Sequence, residues 1–103
     1  MSENNAKGGP MYRLILFVAG DERNSRIARE NLDRICTEDL DGSCEIQIVD
    51  VLTDFSLAAA HQILLTPALL MAEPKPEILV IGNLNDRRKV RTALGIDQPR
   101  KIA

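Results

Sequence analysis

The hydrophobic and polar positions of the chain alternate between short apolar runs and amphipathic segments. Every residue from Leu14 to Val18 is apolar, and a short apolar run that ends before a polar stretch is typical of a strand covered on both faces. A helix capped by Asn24 or Ser25 is expected next. Its apolar stripe recurs at helical spacing: Ala28, Leu32, Ile35 and Cys36. The pattern predicts a central strand followed by a helix that packs one face on a sheet.

A second strand is predicted from Cys44 to Val51, where β-branched residues recur with partial alternation. The turn before it lies at Asp41 and Gly42. A strand, a helix of roughly ten residues and another strand form a βαβ unit. We therefore expect the two strands to be parallel and their crossover to be right-handed.

The next segment predicts a second helix that starts at Thr53, Asp54 or Ser56. Pro67 must end this helix, because the residue before a proline avoids the α region, so we place the boundary near Leu65.

Two further apolar runs surround a proline-rich turn at Pro74 and Pro76. The first run, from Ala68 to Ala72, suits either a helix or a buried strand, whereas Glu77 to Ile81 predicts a strand.

A last helix is expected to start at Asn83 or Asn85 and to end at Gly95. It would present Val90, Ala93 and Leu94 on one side. The complete order is βαβαββα, an α/β domain of three layers in which a parallel unit is extended by an antiparallel hairpin, and this is the thioredoxin-like arrangement.

Length and composition limit the function classes. A chain of 103 residues holds one hydrophobic core, so we expect a polar, disordered lead over residues 1–10, one domain over 11–96 and a flexible tail over 97–103. The net charge of −2 argues against nucleic acid as a partner. Without a secretory h-region or an apolar run of about 18 residues, we expect a soluble, cytoplasmic protein that does not bind membranes.

The reactive side chains do not form a recognisable catalytic or metal-binding motif. Cys36 and Cys44 fit neither a CxxC pair nor a zinc knuckle, and buried, reduced thiols are the simpler interpretation. His61 has no acid, cysteine or second histidine near it in sequence, and we interpret it as a helix-surface or core-edge residue. We expect no catalytic residues, metal or cofactor. The alternative is a thioredoxin-like enzyme or peroxide sensor that uses Cys36 or Cys44.

Other polar groups have equally simple interpretations. Asp54 and Asp86 are expected to serve the first turns of helices. A basic run near the end of the chain either docks an acidic partner or forms a solvated helix face, and the second interpretation is favoured. The run consists of Arg87, Arg88, Lys89 and Arg91.

Five segments resemble the KaiB family in their order along the chain. They are VAG at Val18 to Gly20, the pair Asn24-Ser25, IVDVL at Ile48 to Leu52, ILLTPALL at Ile63 to Leu70, and IGNLNDRRKV at Ile81 to Val90. The resemblance covers the chain from Tyr12 to Leu94. It implies a protein without enzymatic activity that belongs to a circadian oscillator, binds the ATPase KaiC and sequesters KaiA.

The resemblance also implies partners and a surface that binds them. We expect the second strand, with Glu45, Gln47 and Val49, and the first helix, with Ile27 and Glu30, to dock a KaiC-type ATPase. An alternative function is a signalling or stress adaptor that binds a histidine kinase or another regulator, since kinase sensor domains can share this fold. Monomers, dimers and tetramers are all compatible with the resemblance.

KaiB proteins switch between a tetrameric ground-state fold and a thioredoxin-like fold, so the resemblance implies two packings of the second half. Ala93 and Gly95 lie where clock KaiB proteins often carry glycine and aspartate, and we expect both residues to favour the thioredoxin-like form. The resemblance further implies a cis peptide bond at Thr66-Pro67. Basic residues of cyanobacterial members are replaced here at Ile15, Ile27, Glu30 and Gln47, which weakens or redirects partner binding.

Overall fold

Four strands and three α-helices follow one another in the order βαβαββα. The computed structural model describes residues 11–96, so the expected lead 1–10 and tail 97–103 lie outside the described residues. The elements are β1 (Tyr12–Val18), α1 (Arg23–Arg34) with a π-helical extension (Ile35–Asp39), β2 (Cys44–Asp50), α2 (Ser56–Ala60), β3 (Ala68–Glu73), β4 (Ile78–Ile81) and α3 (Arg87–Leu94).

The sheet has the strand order β2-β1-β3-β4. Strand β1 pairs in parallel with β2, with Leu16 opposite Ile48, and antiparallel with β3, with Leu16 opposite Leu69. Strand β4 pairs antiparallel with β3. The predicted βαβ unit, central first strand and hairpin are therefore confirmed. Strands β2 and β4 form the two edges.

The sheet has a different apolar cluster on each face. Alternate residues of β1, including Leu14 and Leu16, pack with Ala28 and Leu32 of α1 and with Val90 of α3. The intervening residues face the other way, and a smaller cluster on that face includes Phe17, Val49, Ala58, Ile63, Ala68 and Leu70. Because side chains alternate along a strand, the buried β1 supplies both clusters, and the helices form the two outer layers.

Helix α1 begins earlier in the chain than the predicted start at Asn24 or Ser25. Its N-cap is Glu22, whose carboxylate accepts a hydrogen bond from the backbone N–H of Ser25 at 3.2 Å. Ser25 itself is buried, and its hydroxyl accepts a hydrogen bond from the N–H of Ala19 at 3.1 Å. The Ser25 side chain, one of the two predicted caps, instead connects the end of β1 to the helix.

Helix α2 is shorter than predicted, because it ends at Ala60 and not near Leu65. Gln62 adopts a left-handed backbone conformation with φ of 58°, which no continuous α-helix contains. The N–H of Ile63 returns to the carbonyl of Ala58 at 2.9 Å, and the Ile63 side chain is buried in the smaller cluster. Burial of this one apolar side chain outweighs further helical turns before Pro67.

Helix α3 starts at Arg87, and its N-cap is Asp86 instead of Asn83 or Asn85. The Asp86 carboxylate accepts a hydrogen bond from the N–H of Lys89 at 3.2 Å. Val90 and Leu94 are buried as predicted, but Ala93 is exposed, so the apolar side of the helix is narrower than expected. Gly95 ends the helix with φ of 76°, a conformation that glycine adopts without steric cost. Within residues 11–96, none of the helices has the length and hydropathy needed to span a bilayer.

Candidate functional site

Among residues 11–96, strand β2 has a hydrogen-bonded neighbour on one side only and forms an edge of the sheet. The N–H of Tyr12 donates to the carbonyl of Ser43, and the N–H of Val51 donates to the carbonyl of Val18. In a parallel pair, alternate residues of one strand bond to its neighbour. The backbone groups of Ile46 and Ile48 therefore point away from β1, and the open edge can accept another extended chain.

Glu45 and Gln47 are exposed on the face of the sheet that carries α2. Together with Arg13 and Ile15 of β1 they line a shallow groove of about 280 Å³. Arg13 Nε lies 3.6 Å from Glu45 Oε1. We call these four residues the β2 edge surface. It combines one apolar side chain with an amide and two opposite charges, a composition suited to recognising a polar protein surface.

Val49 does not belong to this surface, although the sequence placed it there. Its side chain is only 5% exposed and packs in the same cluster as Phe17 and Ala58 of α2. Val49 shares a sheet face with Gln47, but α2 covers that face only near the end of β2. The residue contributes to the core and cannot contact a partner in this conformation.

The structure also separates the two groups of predicted contact residues. Helix α1, which carries Ile27 and Glu30, packs on the cluster that Cys44 and Ile46 border, whereas Glu45 and Gln47 point to the opposite face. Glu30 is exposed and Ile27 is half-buried. The five predicted residues therefore do not form one continuous face.

The basic run of α3 is not simply a solvated face. The Arg87 guanidinium lies 3.0 Å from Asp39 Oδ2 and 2.8 Å from Glu38 Oε1, and Arg91 Nη1 lies 3.9 Å from Asp39 Oδ1. Hydrogen bonds to Asp39 and then to Glu38 raise the pKa of Arg87 above its ordinary value. This acidic–basic clamp of Glu38, Asp39, Arg87 and Arg91 joins α3 to the end of the first helix.

The sequence offered no local signal for the clamp, because Asp39 and Arg87 are 48 positions apart. Arg88 and Lys89 of the same run are exposed. Only half of the run therefore matches the favoured interpretation as a solvated helix face.

Two further acidic residues, Asp50 and Asp54, accept hydrogen bonds from backbone N–H groups. Asp50 Oδ1 accepts hydrogen bonds from the N–H of Gly20 at 2.9 Å and of Leu52 at 3.0 Å. Asp54 accepts one from the N–H of Ser56 at 3.3 Å, so Asp54 serves a first helical turn as predicted, as Asp86 does. Among residues 11–96, no three His, Cys, Asp or Glu side chains are grouped so as to hold a metal ion.

His61 is half-buried at the end of α2, with its ring centroid 6.5 Å from that of Phe17. The interpretation as a core-edge residue is confirmed.

The prediction of buried, reduced thiols at the two cysteines is wrong. Cys36 in the π-helical extension and Cys44 at the start of β2 form a disulfide with their Cα atoms 6.1 Å apart, and both residues are half-exposed. The turn between them, with positive φ at Asp41 and Gly42, folds the chain back and brings the two side chains together. Spacing alone did not reveal this pairing.

Comparison with known proteins identifies the family. The KaiB domain matches residues 15–96. This chain belongs to the KaiB family. It is 40% identical over 86 residues to the circadian clock oscillator protein KaiB of Microcystis aeruginosa, covering 84% of this chain and 81% of that protein. It is 36% identical over 91 residues to the KaiB of Nostoc punctiforme, covering 88% and 86%. The resemblance drawn from five short segments is confirmed.

Solved structures confirm the thioredoxin-like fold of this KaiB-family chain. The N-terminal domain of Synechococcus elongatus SasA matches with a TM-score of 0.68 at 20% identity, over 93% of this chain and 92% of that one. Mitochondrial thioredoxin 3 of Saccharomyces cerevisiae matches with a TM-score of 0.67 at 14% identity, over 88% and 84%. The loop after β1, at residues 19–22, contains no cysteine in this KaiB-family chain.

The Thr66–Pro67 peptide bond of this KaiB-family chain is cis. Pro67 is buried at the start of β3, and its carbonyl accepts a hydrogen bond from the N–H of Gly82 at 2.9 Å. Pro67 therefore lies beside the end of β4, at the same end of the strands as the loop that follows β1.

We propose that Ala93 and Gly95 favour α3 in this KaiB-family chain. Because Ala93 is exposed in the helix, we expect Ala93→Gly to lower the free energy of unfolding by about 1 kcal/mol through the lower helix propensity of glycine. Urea unfolding followed by circular dichroism measures this change. Arg88→Ala, on the exposed side of the same helix, is the control and should change stability by less than about 0.5 kcal/mol. An unchanged or stabilised Ala93→Gly variant would contradict the proposal.

Proposed function

We propose that this chain is a protein-binding module without enzymatic activity, which regulates a KaiC-type ATPase in a circadian or circadian-like timing system. The observation that carries the proposal is the open β2 edge, where exposed Glu45 and Gln47 flank backbone groups that no other strand of the described part of the chain uses. An edge strand of this kind binds a partner through main-chain hydrogen bonds and obtains specificity from the adjacent side chains.

Three further points support the proposal. The relatives in Microcystis aeruginosa and Nostoc punctiforme are circadian clock oscillator proteins. The β2 edge surface is shallow and largely polar, unlike the enclosed and mostly apolar pockets that bind small molecules. The proposal includes a cytoplasmic location, where an ATPase finds its nucleotide. KaiA is a further proposed partner, through assembly on the same ATPase.

Glu45→Arg tests the docking site. The change puts a second positive charge beside Arg13 and reverses the charge at the β2 edge, so we expect the affinity for the KaiC-type ATPase of the same organism to fall at least about tenfold. Biolayer interferometry with the immobilised ATPase, loaded with nucleotide, measures the dissociation constant.

Glu77→Arg is a matched control. Glu77 is also exposed and also pairs with one basic residue, Lys75, at 3.2 Å, but it lies at the opposite edge of the sheet, just before β4. Its reversal should leave the affinity unchanged. Equal losses in both variants would show that net charge, and not the β2 edge surface, governs binding. If the unmodified chain does not bind the ATPase, the proposed partner is wrong.

A second candidate function is an adaptor that binds a histidine kinase or another regulator. The observation in its favour is the shared fold with the SasA N-terminal domain. The two candidates differ in the protein that the chain captures. Binding to a histidine kinase of the same organism, in the absence of any interaction with a KaiC-type ATPase, would favour the adaptor.

A further inference from the structure

The disulfide between Cys36 and Cys44 joins two elements that already meet without it. The N–H of Gly42 donates to the carbonyl of Cys36 at 2.8 Å, the N–H of Leu40 to that of Ile35 at 3.2 Å, and the N–H of Ser43 to that of Leu40 at 2.8 Å. These backbone hydrogen bonds organise the connection from the first helix to β2. These hydrogen bonds therefore connect the two elements in addition to the sulfur bridge.

The Cα atoms of the two cysteines are 6.1 Å apart, within the range of about 4.4–6.8 Å that disulfides span without backbone movement. Both residues are partly exposed to solvent, and Cys44 also packs against the apolar cluster beneath α1. No third cysteine exists in the chain to compete for the pairing. The backbone separation of the two cysteines therefore fits a disulfide.

We propose that Cys36 and Cys44 form a reversible redox modification site that exchanges with low-molecular-weight thiols and disulfides. In the oxidising direction, a thiolate of the pair attacks a small disulfide and releases one thiol. The second cysteine then attacks the resulting mixed disulfide, closes the protein S–S bond and releases the second thiol. Two electrons pass from the protein to the small disulfide, and the two protons pass to the released thiols. A dithiol reverses the reaction.

The site controls the connection between the first helix and the docking strand. Cys44 precedes Glu45 of the β2 edge surface, and Cys36 lies two residues before Glu38 of the acidic–basic clamp. In the oxidised state the bridge ties the end of the first helix to the start of β2. In the reduced state the backbone hydrogen bonds and the burial of Leu40 hold this connection without the covalent link, so it opens more often.

The chemistry is tested on the purified full-length chain, with oxidised glutathione and dithiothreitol as the probes. After treatment with oxidised glutathione we expect a monomer that takes up no maleimide label. Its intact mass should be lower than that of the reduced chain by two hydrogen atoms. After dithiothreitol under native conditions we expect two labels. A chain that keeps two free thiols, links to a second copy, or retains its bridge in dithiothreitol would overturn the proposal.

The structural effect is tested by thermal unfolding and amide exchange of the two states. The bridge links two cysteines that are 8 positions apart in sequence. We expect the oxidised state to have a midpoint of thermal unfolding about 10 °C above that of the reduced state. Amides of residues 40–45 should exchange at least about threefold more slowly in the oxidised state. Cys36→Ser and Cys44→Ser are the controls: the remaining thiol of each can only form a mixed disulfide, which adds the mass of one glutathione, and neither variant should gain the higher midpoint or the slower exchange. Equal midpoints and equal exchange in the two states of the unmodified chain would show that the bridge does not tie the connection.

Discussion

Replacing Phe17 by alanine is expected to lower the free energy of unfolding by about 3–5 kcal/mol. Phe17 is fully buried in β1 and packs in the smaller cluster with Val49 and Ala58. That cluster is covered by α2, a helix of five residues, which is too short to be stable without its packing contacts. The substitution leaves a large cavity beneath α2, and the loss is a substantial fraction of the stability of an ordinary domain.

Phe55→Ala is a matched control for Phe17→Ala, because Phe55 is 62% exposed and the change in side chain is identical. We expect it to alter stability by less than about 0.5 kcal/mol. Urea unfolding followed by circular dichroism measures both variants. If the two alanine variants lose similar amounts of stability, the smaller cluster does not act as a core.

Replacing Asp39 by alanine is expected to cost about 1–3 kcal/mol of stability, because a partly buried charged network loses its central acceptor. The Asp39 side chain is 10% exposed. It accepts two hydrogen bonds from Arg87, at 3.0 and 3.1 Å, and lies 3.9 Å from Arg91 Nη1. Without this carboxylate, the contact between α3 and the end of the first helix loses its strongest polar link. Chemical unfolding at neutral pH measures the effect.

Glu38→Ala tests whether burial decides the size of the loss in the same clamp, because Glu38 carries the same charge as Asp39 but is more exposed. Glu38 also contacts Arg87, at 2.8 Å, but its side chain is 52% exposed, and exposed ion pairs contribute about 0–1 kcal/mol. We therefore expect a clearly smaller loss than for Asp39→Ala. In a double-mutant cycle with Arg87→Met, the Asp39 effect should shrink, because the two residues interact directly. Additive effects in the cycle would contradict a direct link between α3 and the first helix.

Much of the fold follows from local patterns. The apolar run from Leu14 to Val18 predicted the central strand, because a strand buried on both faces shows no polar alternation. The helix between the first two strands predicted a parallel pair, since parallel strands need a crossover of this kind. Gly95 marked the end of α3, since its left-handed conformation costs other residues energy. Each of these features depends on residues that are close together in sequence.

The candidate site was predictable only in part. The exposure of Glu45 and Gln47 follows from the alternation of β2. The burial of Val49 does not, because it depends on where α2 crosses the sheet. Likewise, the sequence placed Ile27 and Glu30 beside the strand, but the crossover puts α1 on the opposite face. The sequence of each segment alone does not show on which face of the sheet that segment will lie.

By itself, the sequence determined the order of elements, the parallel βαβ unit and the membership of the KaiB family, because periodicity, turn residues and short motifs are local properties. Only the tertiary structure decided that α2 stops so that Ile63 can be buried, that Asp39 meets Arg87, and that Cys36 meets Cys44. These outcomes depend on how the packed layers and the turn at Asp41 and Gly42 bring segments together. The free energy of such contacts depends on the surroundings that each side chain meets, and no local pattern encodes those surroundings.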